Sequence, residues 1–348
     1  MSSSSFFLCF QVVLGALGVL ALFLILFALT ALILKRKRAS SGGKVEIKYL
    51  NDKYKEDKQK FLQEISNPSE WKEFLSQEKK KAKEKKKELK GKTPTPPAKK
   101  IFVLDFEGDV QASAVTPLRQ QISLLIQIAK PGDEVILRLE SAGGVVHGYG
   151  LCASQLARLR QAQLALTICV DKVAASGGYM MACLGHRIVC APFAILGSIG
   201  VVAQIPNLNR LLKHNHVDFL EMTAGEYKRT VTMLGEVTEK GKDKFQSQLE
   251  ETHHLFKEHI KTYRPHLNME EVSKGEYWYG TQALALKLVD DISTSDDVLL
   301  KAIEEGWDVY HVHTPQKEGL KQKLAGFIEY AWNLKSEKET SAKVPLLQ

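Results

Sequence analysis

From residue 101 onward, short apolar runs rich in β-branched residues alternate with longer segments of helical period, and no other feature constrains the fold as much. Residues 101–106, 134–139 and 164–170 read as buried strands. Residues 116–130 and 146–160 read as amphipathic helices, the first stopped by Pro131-Gly132-Asp133. Short strands are expected at 187–190, 199–204 and 217–222, and helices at 207–216, 235–263, 281–288, 296–305 and 320–334, with a loose tail at 336–348. Strands that alternate with helices build an α/β fold with largely parallel pairing.

The first hundred residues have another texture. No charged residue occurs from Ser2 to Leu34, and the dense apolar part, 6–34, exceeds the roughly 20 residues that span a bilayer. A cleaved signal peptide wants a basic start and a shorter apolar core. Here Lys35-Arg36-Lys37-Arg38 follows the apolar run and no Lys or Arg precedes it. Residues 1–38 are therefore expected to be a retained transmembrane anchor with a basic flank. The positive-inside rule prefers the cytoplasm for the C-terminal side of the anchor, although long domains cross regardless of charge.

Residues 39–100 form a separate lysine-rich helical and linker region. A helical stretch at 45–71 is broken at Asn67-Pro68, and 79–92 is a lysine-rich run that is either a solvated helix or disordered. Its lysines face solvent or the anionic headgroups near the anchor. Thr93-Pro94-Thr95-Pro96-Pro97 is a linker signal. The chain thus divides into 1–38, 39–100, a chemistry-bearing domain at 101–315, and a C-terminal helix and tail at 316–348.

The net charge of +8 is unevenly placed. Residues 1–100 carry 22 Lys and Arg against 10 Asp and Glu, whereas 101–348 carry 26 against 30. The basic character belongs to the N-terminal extension, which disfavours a nucleic-acid-binding surface on the globular part. The five cysteines, Cys9, Cys152, Cys169, Cys183 and Cys190, show no metal-ligand spacing and no disulfide framework. They read as small buried apolar residues.

Ser176 sits in Ala174-Ala175-Ser176-Gly177-Gly178-Tyr179, between a strand pattern and a short apolar helix. That order places one hydroxyl at a helix start, where backbone N–H groups lack internal partners and can receive a developing negative charge. Serine is also a favoured N-cap, so the hydroxyl alone decides nothing. Ser141-Ala142-Gly143-Gly144 forms a second strand-to-helix turn with consecutive amides. It lacks the spacing and the lysine of a P-loop, and could instead wall an oxyanion hole facing Ser176. A serine nucleophile needs a base. His147, close to the glycine pair, and Lys228, in Gly225-Glu226-Tyr227-Lys228, are both in view. A lysine can serve when burial disfavours its ammonium form. Taken alone, Lys228 is one surface lysine among many.

Taken together these motifs resemble the SohB branch of the signal peptide peptidase A family of serine peptidases. To the two turns and the lysine motif are added Gly197-Ser198-Ile199-Gly200-Val201 and Trp278-Tyr279-Gly280-Thr281-Gln282-Ala283. Lys228 follows Ser176 by 52 residues, the separation of the single-domain members. The likeness covers roughly 100–310 and extends to the anchor and the lysine-rich region. One departure is Lys287, where many relatives have glycine.

The resemblance implies a spiral of ββα units like that of Clp protease and the crotonases, with Ser176 as nucleophile and Lys228 as general base. Gly177, Gly143 and Gly144 would form the oxyanion hole. Ser198 is a candidate to orient the lysine, or simply a tight-turn residue, and His147 reads as a helix-face residue. No cofactor or metal is expected. The expected function is a membrane-anchored serine endopeptidase in a bacterial inner membrane. It would act on peptides or unfolded segments such as signal-peptide remnants or membrane-protein fragments. A homo-oligomer is expected, as in relatives that form rings or domes. Two other readings compete: a crotonase-type acyl-CoA enzyme, which would use carboxylates instead of Ser176 and Lys228, and a catalytically silent membrane scaffold.

Overall fold

The computed structural model of the protein describes residues 44–91 and 99–315. In chain order these form β1 (Glu46–Tyr49), α1 (Leu50–Ile65), α2 (Pro68–Gly91), β2 (Lys100–Gly108), α3 (Val115–Ile128), β3 (Glu134–Ser141) and α4 (Val146–Gln161). Next come β4 (Ala165–Val170), β5 (Val173–Ala175), α5 (Gly177–Ala182), β6 (Arg187–Cys190), β7 (Ile195–Gly197) and α6 (Asn209–His214). The last are α7 (Glu239–Tyr263), α8 (Met269–Val272), β8 (Tyr277–Tyr279), α9 (Gly280–Ala285), β9 (Asp291–Ile292), α10 (Ser295–Glu304) and β10 (Asp308–His313). Val45–His313 form one compact unit.

The strands make two tiers of one sheet. The main tier runs β1-β10-β2-β3-β4-β6-β9, parallel throughout except for the antiparallel edge pair β1–β10. A smaller tier joins β5, β7 and β8. β3 links the tiers: Glu134–Arg138 pair with β4, while Ser141 pairs with Ala174 of β5. Consecutive strands thus enter different tiers, β4 and then β5 before α5, β6 and then β7 after it. This carries the C-terminal ends of β3, β5 and β7 to one place.

Parallel strands covered on both faces read as nearly continuous apolar runs, and β2 and β3 do so. On one face Phe102, Leu104, Leu137 and Ile168 pack with Leu118, Ile122 and Leu125 of α3 and Cys152, Leu156 and Leu159 of α4. On the other, Ile101, Val103, Ile136 and Val309 pack with Leu299 and Ala302 of α10. Four cysteines are free and buried. Burial pushes the thiols of Cys152 and Cys169 up to about 12, as expected of small apolar residues and not of ligands or nucleophiles. Among the described residues no group of acids, histidines and cysteines could hold a metal ion.

Three expectations are corrected. The helical stretch at 45–71 begins as strand β1, whose residues 46–49 pair with 310–313 some 260 residues away. No strand forms at 199–204. The strand there is β7, which ends at Gly197, because Gly197 (φ 97°) and Ser198 (φ 50°) turn the chain out of extension. Residues 217–222 also form no strand and stay irregular. Residues 68–91 are helical, which settles the lysine-rich run as far as residue 91. Among the described residues no helix is long and apolar enough to cross a membrane. The anchor at 1–38, Cys9, the linker at 93–97, the helix at 320–334 and the tail lie outside the described residues.

Lys287 adopts φ 61°, a left-handed conformation that favours glycine. The turn cannot relax, because Arg264 forms two hydrogen bonds to Asp290 and a third to the Lys287 carbonyl, and the buried Tyr179 hydroxyl donates to Leu288 O at 2.8 Å. Left-handed backbone costs an L-residue roughly 1–2 kcal/mol, and glycine returns part of that as chain entropy. Lys287→Gly is therefore expected to stabilise the protein by about 0.5–1 kcal/mol, a rise in Tm of about 1–4 °C by thermal melting.

Candidate active site

Ser176 lies between β5 and α5 with φ 52° and ψ −119°, a conformation that costs a non-glycine residue about 1–3 kcal/mol. Its own backbone is fully engaged: its N–H donates to Gly197 O at 2.8 Å and its carbonyl accepts from Met180 N at 3.0 Å. The side chain makes no capping hydrogen bond. The N-cap explanation for this serine therefore fails; the fold holds a strained residue whose hydroxyl has no hydrogen-bond partner among the described residues.

The strain is imposed by close packing around it. All six residues of α5 are buried. A Cβ on Gly177 would come within 2.4 Å of the Tyr149 ring, and one on Gly178 within 2.4 Å of Ser141 O. The glycines let a buried helix start against the end of β3. Burial lowers the His259 imidazole below its ordinary range, and Nε2 of this neutral ring bonds the Met180 carbonyl at 2.9 Å, tying α5 to α7.

The second turn is built by a hydrogen-bond chain that has no signal in the local sequence. Gly143 N–H donates to Ser141 Oγ at 3.1 Å, Ser141 Oγ lies 2.5 Å from the Tyr149 hydroxyl, and that hydroxyl donates to Asp109 O at 2.9 Å. With the Tyr149 proton spent on Asp109, Ser141 is the donor in the middle bond. In this structure the Gly143 amide, expected to face the oxyanion, is engaged inside the turn. The amides of Gly144 and Gly177 have no partner among the described residues.

Gly143 has another role. At φ 92° a Cβ there would sit 2.7 Å from both Ser176 Cβ and Gly177 N. Gly143→Ala must shift the serine turn or itself, at about 2–4 kcal/mol of stability from the left-handed backbone and the overlap. A fall in denaturant midpoint together with lost hydrolysis is the expected result; an unchanged midpoint would contradict the packing.

A cleft of about 470 Å³ opens in front of Ser176. Gly144, Gly177 and Ser198 line it, with apolar walls from Val146, Met180 and Phe256. A lobe of about 250 Å³ continues between α4 and α7, sharing Val146, Met180, Thr252 and Phe256 with the cleft and ending at Tyr263. Ser198 is a strained turn residue (φ 50°) that also lines the cleft, and among the described residues its hydroxyl makes no hydrogen bond to Lys228. His147 is exposed on α4 and does not line the cleft, as a helix-face residue should.

Lys228 is not among the residues that line the cleft, and no hydrogen bond joins it to Ser176 among the described residues. It is exposed in the irregular stretch before α7, its N–H closes a turn to Gly225 O, and its ammonium pairs with nothing described. Two other cations or potential cations do line the cleft: Lys274, and His253 with Nε2 3.2 Å from Ile199 O. Neither shows a sequence signal, since both reach the site from elements more than 70 residues beyond Ser176.

Residues 5–156 match the family model for the Peptidase family S49 N-terminal region, and residues 158–308 match that for Peptidase family S49. The chain is 51% identical over 297 residues to the probable protease SohB of Haemophilus influenzae, covering 83% of this chain and 84% of that one. It is 46% identical over 296 residues to the probable protease SohB of Buchnera aphidicola subsp. Schizaphis graminum, covering 85% and 86%. A solved structure of the 1510-N membrane-bound stomatin-specific protease with a substrate peptide overlaps at TM-score 0.39 and 16% identity, over 67% of this chain and 99% of that one.

Proposed function

The chain belongs to peptidase family S49, in its SohB branch, and from that membership and the geometry of Ser176 we propose a membrane-anchored serine endopeptidase with a Ser176–Lys228 dyad. Family membership makes it a peptidase. The observation that carries the serine mechanism is a strained Ser176 with an unused hydroxyl, facing a cleft whose wall includes two unpaired amides.

The chemistry follows from that arrangement. Ser176 Oγ attacks the peptide carbonyl carbon, and Lys228 Nζ takes its proton. The Gly144 and Gly177 N–H groups receive the oxyanion. Collapse of the tetrahedral species breaks the C–N bond, and the lysine's proton goes to the leaving amine. Water, deprotonated by the same lysine, then releases the acyl group from Ser176. The apolar lobe takes a small or apolar side chain beside the scissile bond. The fold family implied is the Clp-like spiral of ββα units.

In this reading Lys228 reaches Ser176 when its segment is covered. That segment exposes Leu220 (77%) and Met222 (82%), a surface that packing against a second copy of the chain would bury. A homo-oligomer enclosing the clefts would admit extended chains and exclude folded proteins. Residues 1–38 hold it in a bacterial inner membrane, and a pellet that survives alkaline extraction is the expected fractionation. The crotonase-type alternative needs acid–base carboxylates, and among the described residues no Asp or Glu lines the cleft.

The deciding experiment is labelling of the full chain with an active-site serine probe. Wild type is expected to label at Ser176, and the Lys228→Ala variant to lose labelling. Absence of labelling in a preparation that hydrolyses peptides would overturn the serine mechanism.

A further inference from the structure

We infer that Lys274 is a specificity-determining residue that binds a substrate carboxylate, an inference that rests on the peptidase reading of this cleft. Lys274 lines the cleft in front of Ser176. Its ammonium has no carboxylate within ion-pairing distance among the described residues, although other lysines do, Lys172 with Glu140 and Lys240 with Glu226 for example. Among the described residues no Asp or Glu lines the cleft, so none of them neutralises the charge within it.

The backbone beneath Lys274 is fixed. Ser273 on one side is 7% exposed, with its hydroxyl bonded to Met269 O. On the other side Gly275 packs against Gly200, where an added Cβ would lie 3.1 Å from its Cα, and Glu276 O accepts Ser198 N–H at 2.6 Å. The charge is thus mounted on a rigid rim joined to the same Gly197–Gly200 turn that holds the Ser176 backbone. A solvated, unpaired ammonium mounted there is well suited to attract an anion. The anion that a peptide substrate offers is a carboxylate, from its C-terminus or from an Asp or Glu side chain.

The test measures kcat/KM of the full-length protein on two matched pairs of unstructured, internally quenched peptides. One pair differs only in a free or amidated C-terminus. The other has an amidated C-terminus and differs only in Glu or Gln near the scissile bond. In one pair wild type is expected to favour the carboxylate roughly 3- to 10-fold, in KM and not in kcat, with the ratio shrinking as salt rises. The pair that responds identifies the source of the carboxylate. Lys274→Arg should keep the ratio, Lys274→Gln should bring it to about one, and Lys274→Glu should invert it. Because each ratio is internal to one variant, a change in overall activity does not disturb it. If wild type cleaves both members of both pairs equally, or Lys274→Glu keeps the wild-type ratio, the Lys274 inference is wrong and the peptidase reading stands. If wild type cleaves none of the four, both fall.

Discussion

Ser176→Ala is expected to abolish peptide hydrolysis, by on the order of 10⁴-fold or more, while leaving the fold in place. Among the described residues the side chain contributes no hydrogen bond, so removing its oxygen leaves no partner there unsatisfied. Ser176→Gly sharpens the test. The backbone at φ 52° and ψ −119° suits glycine, and relief of the strain should outweigh the chain entropy that glycine loses on folding. This variant should be as inactive as Ser176→Ala yet more stable than wild type by about 1 kcal/mol, read as a Tm higher by a few degrees. Opposite signs for stability and activity at one residue mark a position held in strain for chemistry. Substantial turnover by folded Ser176→Ala would sink the assignment, and a Gly variant no more stable than wild type would remove the strain from the account.

The Ser176 turn was legible because its signal is local. A β-branched run, a small-residue turn and an apolar helix occupy some twenty consecutive residues; β4 and α5 fall on them, while β5 forms inside the stretch read as turn. The strands β2, β3, β4 and β6 were legible for the same reason: each is a buried apolar run bounded by turn residues. What escaped depends on distant partners. Strand β1 exists only because β10 offers it an edge, and nothing in Glu46-Ile47-Lys48-Tyr49 announces that. The Gly143 amide looked available until Tyr149 and Asp109 closed a hydrogen-bond chain through Ser141. Lys274 and His253 reach the cleft by tertiary packing alone. Lys228 is the converse case, a residue named by its motif whose surroundings in one chain give it no partner.

That makes Lys228 the position with the most discriminating outcome. In the described structure its side chain is exposed and unpaired, so substitution should change stability by no more than about 0.5 kcal/mol. A surface lysine would be equally indifferent to activity. A general base would not: Lys228→Ala is expected to lose ~10³–10⁴-fold in kcat at an unchanged Tm. Lys228→Arg is expected to be nearly as inactive, because a guanidinium keeps its charge at any working pH and cannot accept the Ser176 proton. Size and charge are retained in that variant, so its inactivity cannot be assigned to lost packing or a lost surface cation. His253→Ala supplies the contrast, since His253 is the imidazole that lines the cleft. An active Lys228→Ala beside an inactive, folded His253→Ala would replace the dyad with a serine–histidine site. The expected pattern is the reverse, with kcat lost at Lys228 alone. A base that must be delivered to the cleft by packing against a second copy adds one further signature: specific activity should fall on dilution below the concentration at which the assembly dissociates.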